Sequence, residues 1–362
     1  MTSPYCITID DVKTAAGRIA GVAHRTPVLT CSSLNGLSKG RHLFFKVEAL
    51  QKTGSFKFRG ALNAVKEELE RRKKADNDTA LHVLTHSSGN HAQALALAAK
   101  LAGGSATTGS TAASTNVQAT IVMPSNTPTV KRNAVQDFGA TIVMVEPTNK
   151  ARREKAEEIR QNTGASFIHP SEDPRVIAGQ GTVCLEMLEQ VQELTDKPLD
   201  VVIIPVGGGG LASGNIITLR SVLGDKVKIV LAEPAKLDDA KRSFEAKELL
   251  PHDPSNNLDS VADGLKTTLG PNTWPIIRDK ADDILTVTED EILLATKLIW
   301  ERLKICIEPS AGVGIAACLG EEFQAKYPTQ EYSNVGIILC GGNVDIVKIS
   351  KKIEEAVARQ SA

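Results

Sequence analysis

The sequence has no excess of charge of either sign. Its 42 lysine and arginine residues face 43 aspartate and glutamate residues, which leaves a formal net charge of -1. A chain without a basic field has no electrostatic attraction for nucleic acid or for an anionic membrane surface. We therefore expect neither as a partner, and a small molecule is the expected substrate.

Long hydrophobic runs are missing too. The first residues, MTSPYCITIDDVKTAAGR, lack the apolar core of a secretory signal, and no stretch approaches the roughly 18 apolar residues of a membrane span. The sequence therefore predicts a cytoplasmic protein. Hydrophobic residues still make up 41% of the 362 residues, enough for a sizeable core in one large or two ordinary domains.

Cysteine pairs and nucleotide motifs are also absent. The six cysteines are scattered and none stands in C-x-x-C spacing, so reduced thiols are expected. His86 and His91 have no companion at metal-ligand spacing, and we interpret both as structural hydrogen-bonding residues. The chain carries neither a G-x-G-x-x-G loop nor a P-loop, which disfavours a nucleotide as the principal cofactor.

Short apolar segments of strand length alternate with longer segments of helical period. The alternation predicts an α/β protein with buried, mainly parallel strands. The strand candidates are HLFFKV (42–47), LHVLTH (81–86), ATIVM (119–123), TIVMV (141–145), VVIIPV (201–206), KIVLA (228–232) and VGIILC (335–340).

Two polar segments mark crossings between domains, KEELERRKKADND (66–78) and HPSEDP (169–174). They predict a large domain, 1–78 and 174–362, into which a smaller mobile domain, 79–173, is inserted. Part of the smaller domain, 103–116, is a low-complexity stretch of Gly, Ser, Thr and Ala. Such a composition cannot bury enough apolar surface to fix one conformation, so we interpret it as a surface loop.

Four consecutive glycines, Gly207 to Gly210, follow the strand VVIIPV and precede a helix. Without Cβ atoms the backbone can curl so that successive N–H groups face one point, and the helix N-terminus adds its positive end. The segment therefore predicts a phosphate site. A tight turn with no ligand remains the alternative, because such turns also favour glycine.

Two further segments contain candidate catalytic side chains. Lys57 stands between two phenylalanines in GSFKFRG, and apolar neighbours lower the pKa of an amine, as a lysine that forms a Schiff base requires. Ser88 and Asn90 lie in THSSGNHAQ, again between a strand and a helix, where they offer a hydroxyl and an amide. The alternatives are a surface lysine and plain helix capping by Ser and Asn.

The chain resembles the fold-type II pyridoxal-phosphate enzymes over nearly its whole length. That family includes amino-acid racemases and the serine and threonine dehydratases. The resemblance implies the tryptophan synthase β type of α/β fold, with two doubly wound domains and mainly parallel sheets. The matching motifs, in order, are QKTGSFKFRGALNAV (51–65), THSSGNHAQALALAAK (85–100), VIAGQGT (176–182), PVGGGGLASG (205–214), NTWPIIRD (272–279), TVTEDEI (286–292), IEPSAGVGIAA (307–317) and CGGNVD (340–345).

The resemblance also implies how the chain would hold pyridoxal 5'-phosphate. Lys57 would form the Schiff base, with Phe56 packed against the ring and Asn90 on the ring hydroxyl. Cys340 would face the pyridine nitrogen, where racemases of the family usually have serine and some dehydratases have cysteine. The phosphate would bind to Gly207, Gly208, Gly209, Gly210 and Leu211.

The activity implied is racemisation of serine through a carbanion at Cα, together with β-elimination of serine to pyruvate and ammonia. Racemisation needs an acid or base on each face of the planar carbanion. Lys57 would serve one face and Ser88 the other, at a position where many dehydratases of the family carry alanine. Ser87, Ser88, Asn90 and His91 would contact the substrate.

Two alternatives stay open. The first is a dehydratase of serine, threonine or 3-hydroxyaspartate with little racemase activity, which Cys340 would suit. The second is a catalytically silent scaffold that retains the fold.

The resemblance further implies a divalent cation, a nucleotide and a homodimer. Mg²⁺, or Ca²⁺ or Mn²⁺, would bind to the carboxylates of Glu233 and Asp239 and the carbonyl of Leu237. ATP would bind at the dimer interface as an allosteric activator, although the family's aromatic contact is replaced by Thr120. The matching polar positions for ATP are Ser32, Arg41, Lys52, Thr53, Gln93, Lys304 and Asn343.

Overall fold

The computed structural model describes residues 4–76, 79–104, 117–253 and 258–361. Apart from Gly103 and Gly104, the low-complexity stretch 103–116 lies outside the described residues. No helix in the described part of the chain is long and apolar enough to cross a membrane.

The described strands form two sheets. The first has six strands in the order β1-β2-β10-β7-β8-β9, and the second has four in the order β5-β4-β3-β6. Only β1 and β2 pair in antiparallel fashion; the other strand pairings described are parallel. The bounds are β1 Val28–Leu29, β2 His42–Val47, β3 Leu81–His86, β4 Val117–Pro124, β5 Thr141–Val145, β6 Ser166–Phe167, β7 Val201–Pro205, β8 Lys228–Pro234, β9 Asp283–Val287 and β10 Asn334–Leu339.

Helices connect these strands and cover both faces of the large sheet. The bounds are α1 Ile9–Ile19, α2 Ser32–Leu37, α3 Lys57–Lys74, α4 Asn90–Ala102, α5 Thr129–Asp137, α6 Asn149–Thr163, α7 Pro174–Leu194, α8 Gly210–Leu223, α9 Asp239–Ala246, α10 Trp274–Lys280, α11 Glu289–Leu298, α12 Pro309–Leu319, α13 Glu321–Lys326 and α14 Ile346–Ser361.

The central strands of the large sheet are buried and, apart from Asn334, apolar. Every residue of β7 and β10 is buried, as expected of parallel strands that are covered on both faces. The main hydrophobic core lies here, between the sheet and helices that include α7, α8 and α12. This rigid frame fixes the carboxyl ends of its strands, where the glycine loop begins.

Helix α3 links the two sheets. Its buried residues Phe58, Leu62 and Val65 belong to the core of the second sheet, together with Leu95 of α4. The same helix also packs against α7 of the large sheet. Lys57, the first residue of α3, therefore lies where the two halves of the molecule meet. The strands of the second sheet all fall within 79–173, although the exact domain boundaries and the mobility of that domain stay predictions.

Candidate active site

The amine of Lys57 is held between an aromatic ring and the segment that follows β6. Its Nζ donates to the carbonyl oxygen of Pro170 at 2.8 Å and lies 5.0 Å from the centre of the Phe56 ring. Burial lowers the pKa of Lys57 from 10.5 to about 8, against the opposing influence of Cys340 and Glu308. The amine is therefore neutral, and nucleophilic, in a larger fraction than an ordinary lysine at the same pH.

The glycine loop between β7 and α8 is closely packed against other segments of the chain. A Cβ atom at Gly207 would lie 2.8 Å from the Cα of Leu265, and one at Gly208 would lie 2.6 Å from Ser171 Oγ. Gly209 has a left-handed backbone with φ of 80°, which favours glycine. Larger residues would fill this space or strain the loop.

The amides of the loop are the free donors of the site. The amide of Gly208 donates to Thr267 Oγ1 at 3.1 Å. The amides of Gly207, Gly209, Gly210 and Leu211 donate to no atom of the described residues. Unpaired N–H groups at the positive end of a helix form an anion site. A phosphate group would fit these donors, and its binding to the loop stays a prediction.

The turn between β3 and α4 leaves one serine available. Ser87 is engaged in the turn, since its hydroxyl accepts from the amide of Gly89 at 3.3 Å. The hydroxyl of Ser88 makes no hydrogen bond to a described residue. The helix cap is Gly89, without a side-chain hydrogen bond, so the alternative of plain capping by Ser and Asn is wrong. Ser88 is thus the free hydroxyl of this turn.

Asn90 is held by a carboxylate that the sequence analysis did not assign. Its Nδ2 lies 3.1 Å from each carboxylate oxygen of Glu308, and its Oδ1 accepts from Asn343 Nδ2 at 2.9 Å. Glu308 is buried, and burial raises its pKa from 4.5 to about 7. A glutamate within the apolar segment IEPSAGVGIAA was the available signal.

Cys340 lies beside these groups at the end of β10. Its side chain is buried, and burial raises the pKa of its thiol well above the usual value. Its carbonyl accepts from the amide of Phe56 at 3.1 Å, which ties β10 to the start of α3. The thiol is therefore neutral and able to donate a weak hydrogen bond to a ring nitrogen. Its contact with the cofactor stays a prediction.

Both histidines of the Ser-Asn turn are neutral residues of the fold. His91 is buried with Nε2 3.2 Å from the carbonyl oxygen of Ile168, and burial holds its pKa well below the usual value. Burial also lowers the pKa of His86, whose ring lies 5.2 Å from that of Phe167. This agrees with the structural interpretation, while a contact of His91 with substrate stays a prediction.

The predicted metal ligands form a buried acidic pair. The Glu233 carboxylate accepts from the amides of Ala240 and Lys241, and burial and the charge of Asp239 raise its pKa well above the usual value. Burial raises the pKa of Asp239 to about 6, against the opposing influence of His252. Two buried carboxylates that repel each other suit a cation. Among the described residues, no three His, Cys, Asp or Glu side chains could hold one ion, and completion of the shell by the Leu237 carbonyl and water stays a prediction.

The predicted ATP positions are only partly brought together. Asn343 Nδ2 donates to the carbonyl oxygen of Thr53 at 2.7 Å as well as to Asn90, which places the segment of Lys52 and Thr53 beside the cofactor site. Arg41 is fully buried, and its guanidinium donates to the carbonyls of Ser38 and Tyr327. Its burial does not support a nucleotide contact. No described hydrogen bond joins Ser32, Gln93 or Lys304 to this set.

Taken together, these groups fit pyridoxal phosphate. A buried amine with a lowered pKa suits an aldehyde, unpaired amides around four glycines suit a phosphate, and Asn90 and Cys340 would hold the ring. The structure therefore brings together the lysine, the glycine loop and the Ser-Asn turn that are far apart in the sequence.

Comparisons with known proteins agree with this site. Residues 19–341 match the family model described as pyridoxal-phosphate dependent enzyme. The chain belongs to this family of pyridoxal-phosphate dependent enzymes.

Within the family, the chain is similar to serine racemases. It is 47% identical to the serine racemase of Rattus norvegicus, covering 97% of this chain and 97% of the relative. The structure of maize serine racemase matches with a TM-score of 0.84 and 38% identity, covering 99% of this chain and 100% of that chain. The threonine deaminase of T.th. matches with a TM-score of 0.79 and 37% identity, covering 94% of this chain and 99% of that chain.

Proposed function

We propose that the chain interconverts L- and D-serine and also eliminates water from serine, giving pyruvate and ammonia. The observation that carries the proposal is a buried Lys57 whose pKa is lowered, on a chain whose Ser88 hydroxyl makes no hydrogen bond to a described residue. The relatives described as serine racemases, at 47% identity, support the substrate. A silent scaffold has no need of an amine whose pKa is lowered by burial.

When bound, the cofactor supplies a conjugated ring that withdraws electrons from Cα and makes its proton removable. Lys57, with its pKa near 8, can accept that proton at Nζ on one face and return it. Ser88 would exchange a proton at Oγ on the opposite face. Asn90, fixed by Glu308 and Asn343, would orient the ring. Elimination needs Lys57 but no group on the second face.

A dehydratase with little racemase activity is the second candidate. Cys340 favours it, because the resemblance places cysteine at this position in some dehydratases of the family. The structural match to threonine deaminase is in keeping with it. Ser88 favours the racemase.

The experiment that separates these functions supplies the holoenzyme with L-serine and measures D-serine by chiral chromatography and pyruvate by a coupled assay. We expect both products from the wild type and neither from Lys57→Ala. Pyruvate without D-serine would establish the dehydratase, and neither product from a pyridoxal-loaded wild type would overturn both proposals.

We also propose that Mg²⁺, or Ca²⁺ or Mn²⁺, binds to Glu233, Asp239 and the Leu237 carbonyl as a structural and activating ion. The repulsion between the two buried carboxylates supports it. Mg²⁺ should raise the thermal midpoint of the wild type but not that of Asp239→Asn, because only the folded site binds the ion. An equal response of both proteins would place the ion elsewhere.

ATP activation and a homodimer are the remaining proposals. The bonds of Asn343 to Thr53 and Asn90 support the first, because they connect the predicted nucleotide positions to the cofactor site. The exposed Leu50 and Val347 near these residues support a subunit interface. Addition of MgATP should change KM or kcat, and light scattering should give twice the mass of the chain. The cytoplasmic location stays a prediction.

A further inference from the structure

One ion pair crosses between the two sheets at the active site. Lys131 Nζ lies 3.0 Å from Asp263 Oδ2. Lys131 is in the first turn of α5, which belongs to the second sheet, and Asp263 begins a short turn, Asp263–Leu265, of the large-sheet half. Among the ion pairs of the described residues, it alone joins segment 81–167 to the rest of the chain.

The turn that begins with Asp263 reaches two parts of the site. The amide of Gly264 donates to Ser310 Oγ at 3.0 Å, two residues beyond Glu308. The backbone of Leu265 packs against Gly207, where a Cβ atom would come within 2.8 Å of it. The position of this turn is therefore coupled to the phosphate loop and to the start of α12.

Lys131 is similarly connected to the Ser88 turn. Helix α5 packs against α4, and Val135 of α5 lies in the same hydrophobic core as Leu95 of α4. Helix α4 begins at Asn90, directly after the turn that carries Ser88. A shift of Lys131 is therefore transmitted through α5 and α4 to the turn that carries Ser88.

The charges of the pair also influence the pKa of a buried group of the site. Asp263 raises the pKa of the buried Glu308, and Lys131 lowers it. The pair is thus close enough to influence the carboxylate that holds Asn90.

We propose that Lys131 and Asp263 are positioning residues, which form a clasp that holds Ser88 opposite Lys57. The inference rests on the proposed function. Lys57 lies at the start of α3, which packs against α7 of the large-sheet half as well as against α4, whereas Ser88 follows β3 of the second sheet. Their separation therefore depends in part on how the two halves meet. Racemisation needs both groups, and elimination needs Lys57 alone. Loss of the clasp should therefore reduce D-serine more than pyruvate.

The size of the effect follows from the exposure of the pair. The Lys131 and Asp263 side chains are 37% and 55% exposed, so water weakens their attraction. Exposed pairs of this kind change an equilibrium by a factor of about two to five, and salt screens them. We expect the ratio of D-serine to pyruvate to fall by about twofold to fivefold when the pair is broken.

The test measures that ratio in the holoenzyme for Lys131→Ala, for Asp263→Asn and for the reversed pair, Lys131→Asp with Asp263→Lys. Each single variant should lower the ratio and raise KM for serine, and the reversed pair should restore both. The matched control is Lys155→Ala. This variant breaks an exposed ion pair within the second-sheet half, in which Lys155 Nζ lies 2.6 Å from Glu158 Oε1. Thermal midpoints check that every variant is folded.

Ionic strength provides an independent readout. Added NaCl should lower the ratio in the wild type and leave it unchanged in Lys131→Ala, since that variant has no pair to screen. An unchanged ratio in both single variants, with a wild type that makes both products, would overturn the clasp and leave the proposed function intact. A wild type that makes no D-serine would overturn the proposed function itself.

Discussion

At the scale of single residues, the site depends on two ionisable side chains whose charged forms are destabilised by burial. The pKa of Lys57 falls to about 8 and that of Glu308 rises to about 7. Both shifts come mainly from the loss of water around the group. This desolvation serves the site, because a neutral amine can attack an aldehyde and a buried carboxylate can fix Asn90.

The lowered pKa of Lys57 should set how fast cofactor-free protein takes up pyridoxal phosphate. Only the neutral amine reacts, so the rate should rise with pH up to about 8 and then level off. The rise in absorbance at about 410 nm after mixing measures it, and Lys57→Ala should not develop this band. A rate that keeps climbing to about pH 10 would mean a lysine with an ordinary pKa.

The raised pKa of Glu308 makes a prediction about stability. Between pH 4.5 and about 7 the folded state binds the proton and the unfolded state does not, so stability falls as pH rises through this range. Glu308→Gln removes this pH-dependent loss of stability, because glutamine does not titrate. Relative to wild type, the cofactor-free variant should gain on the order of 2 kcal/mol between the two ends of this range.

Urea unfolding at the two pH values measures the change. Glu321→Gln, on an exposed residue of α13, is the matched control and should show no such gain. If Glu308→Gln and wild type responded equally to pH, the Glu308 carboxyl would not stay protonated in the folded state over this range.

At the scale of elements, the glycine loop is the part that most strictly limits substitution. Gly209 combines a positive φ of 80° with close packing, since a Cβ atom there would lie 2.7 Å from the Cβ of Thr273. Gly224, at the other end of α8, has a positive φ of 61° but open space around it. Substitution of Gly224 therefore tests backbone strain alone, whereas substitution of Gly209 also displaces the loop.

Gly209→Ala should weaken pyridoxal phosphate binding by about tenfold or more, because the loop must move to relieve the contact. Gly224→Ala should cost roughly 1 kcal/mol of stability through strain and leave cofactor affinity unchanged. Titration of cofactor-free protein measures affinity, and thermal unfolding measures stability. Equal affinity in both variants would show that the loop does not bind the phosphate as described.

Elements with a strong apolar pattern were predictable from sequence. The segments 42–47, 81–86 and 141–145 coincide with β2, β3 and β5, and four others agree within two residues at each end. The strands β1 and β6 have two residues each, too few to show any period, and both were missed. β9, with Thr286 partly exposed and an aspartate at its start, was missed as well.

The site divides in the same way. Lys57, Ser88, Asn90 and the glycines lie in contiguous motifs whose residue types already indicate chemistry. Glu308 was missed because its partner Asn90 is 218 residues away, and such a pairing becomes visible only when both segments are placed in the fold. The carbonyl of Pro170 and the hydroxyl of Thr267 were missed for the same reason.

At the scale of the whole molecule, one catalytic candidate lies where the two halves meet and the other lies in the second-sheet half. Lys57 begins helix α3, which packs against α4 of the second-sheet half and α7 of the large-sheet half, and Ser88 follows a strand of the second sheet. Such an arrangement lets one boundary between the halves control whether both faces of Cα are served. We infer that the balance between racemisation and elimination depends on how the halves meet, as well as on the side chains themselves.

The most direct test of this account compares wild type with Ser88→Ala, each loaded with pyridoxal phosphate and supplied with L-serine and Mg²⁺. Ser221→Ala, on an exposed serine near the end of α8, is the matched control. We predict that Ser88→Ala forms pyruvate but loses D-serine by at least about a hundredfold, the scale of a lost acid-base group. D-Serine formed at the wild-type rate by Ser88→Ala would contradict the central claim.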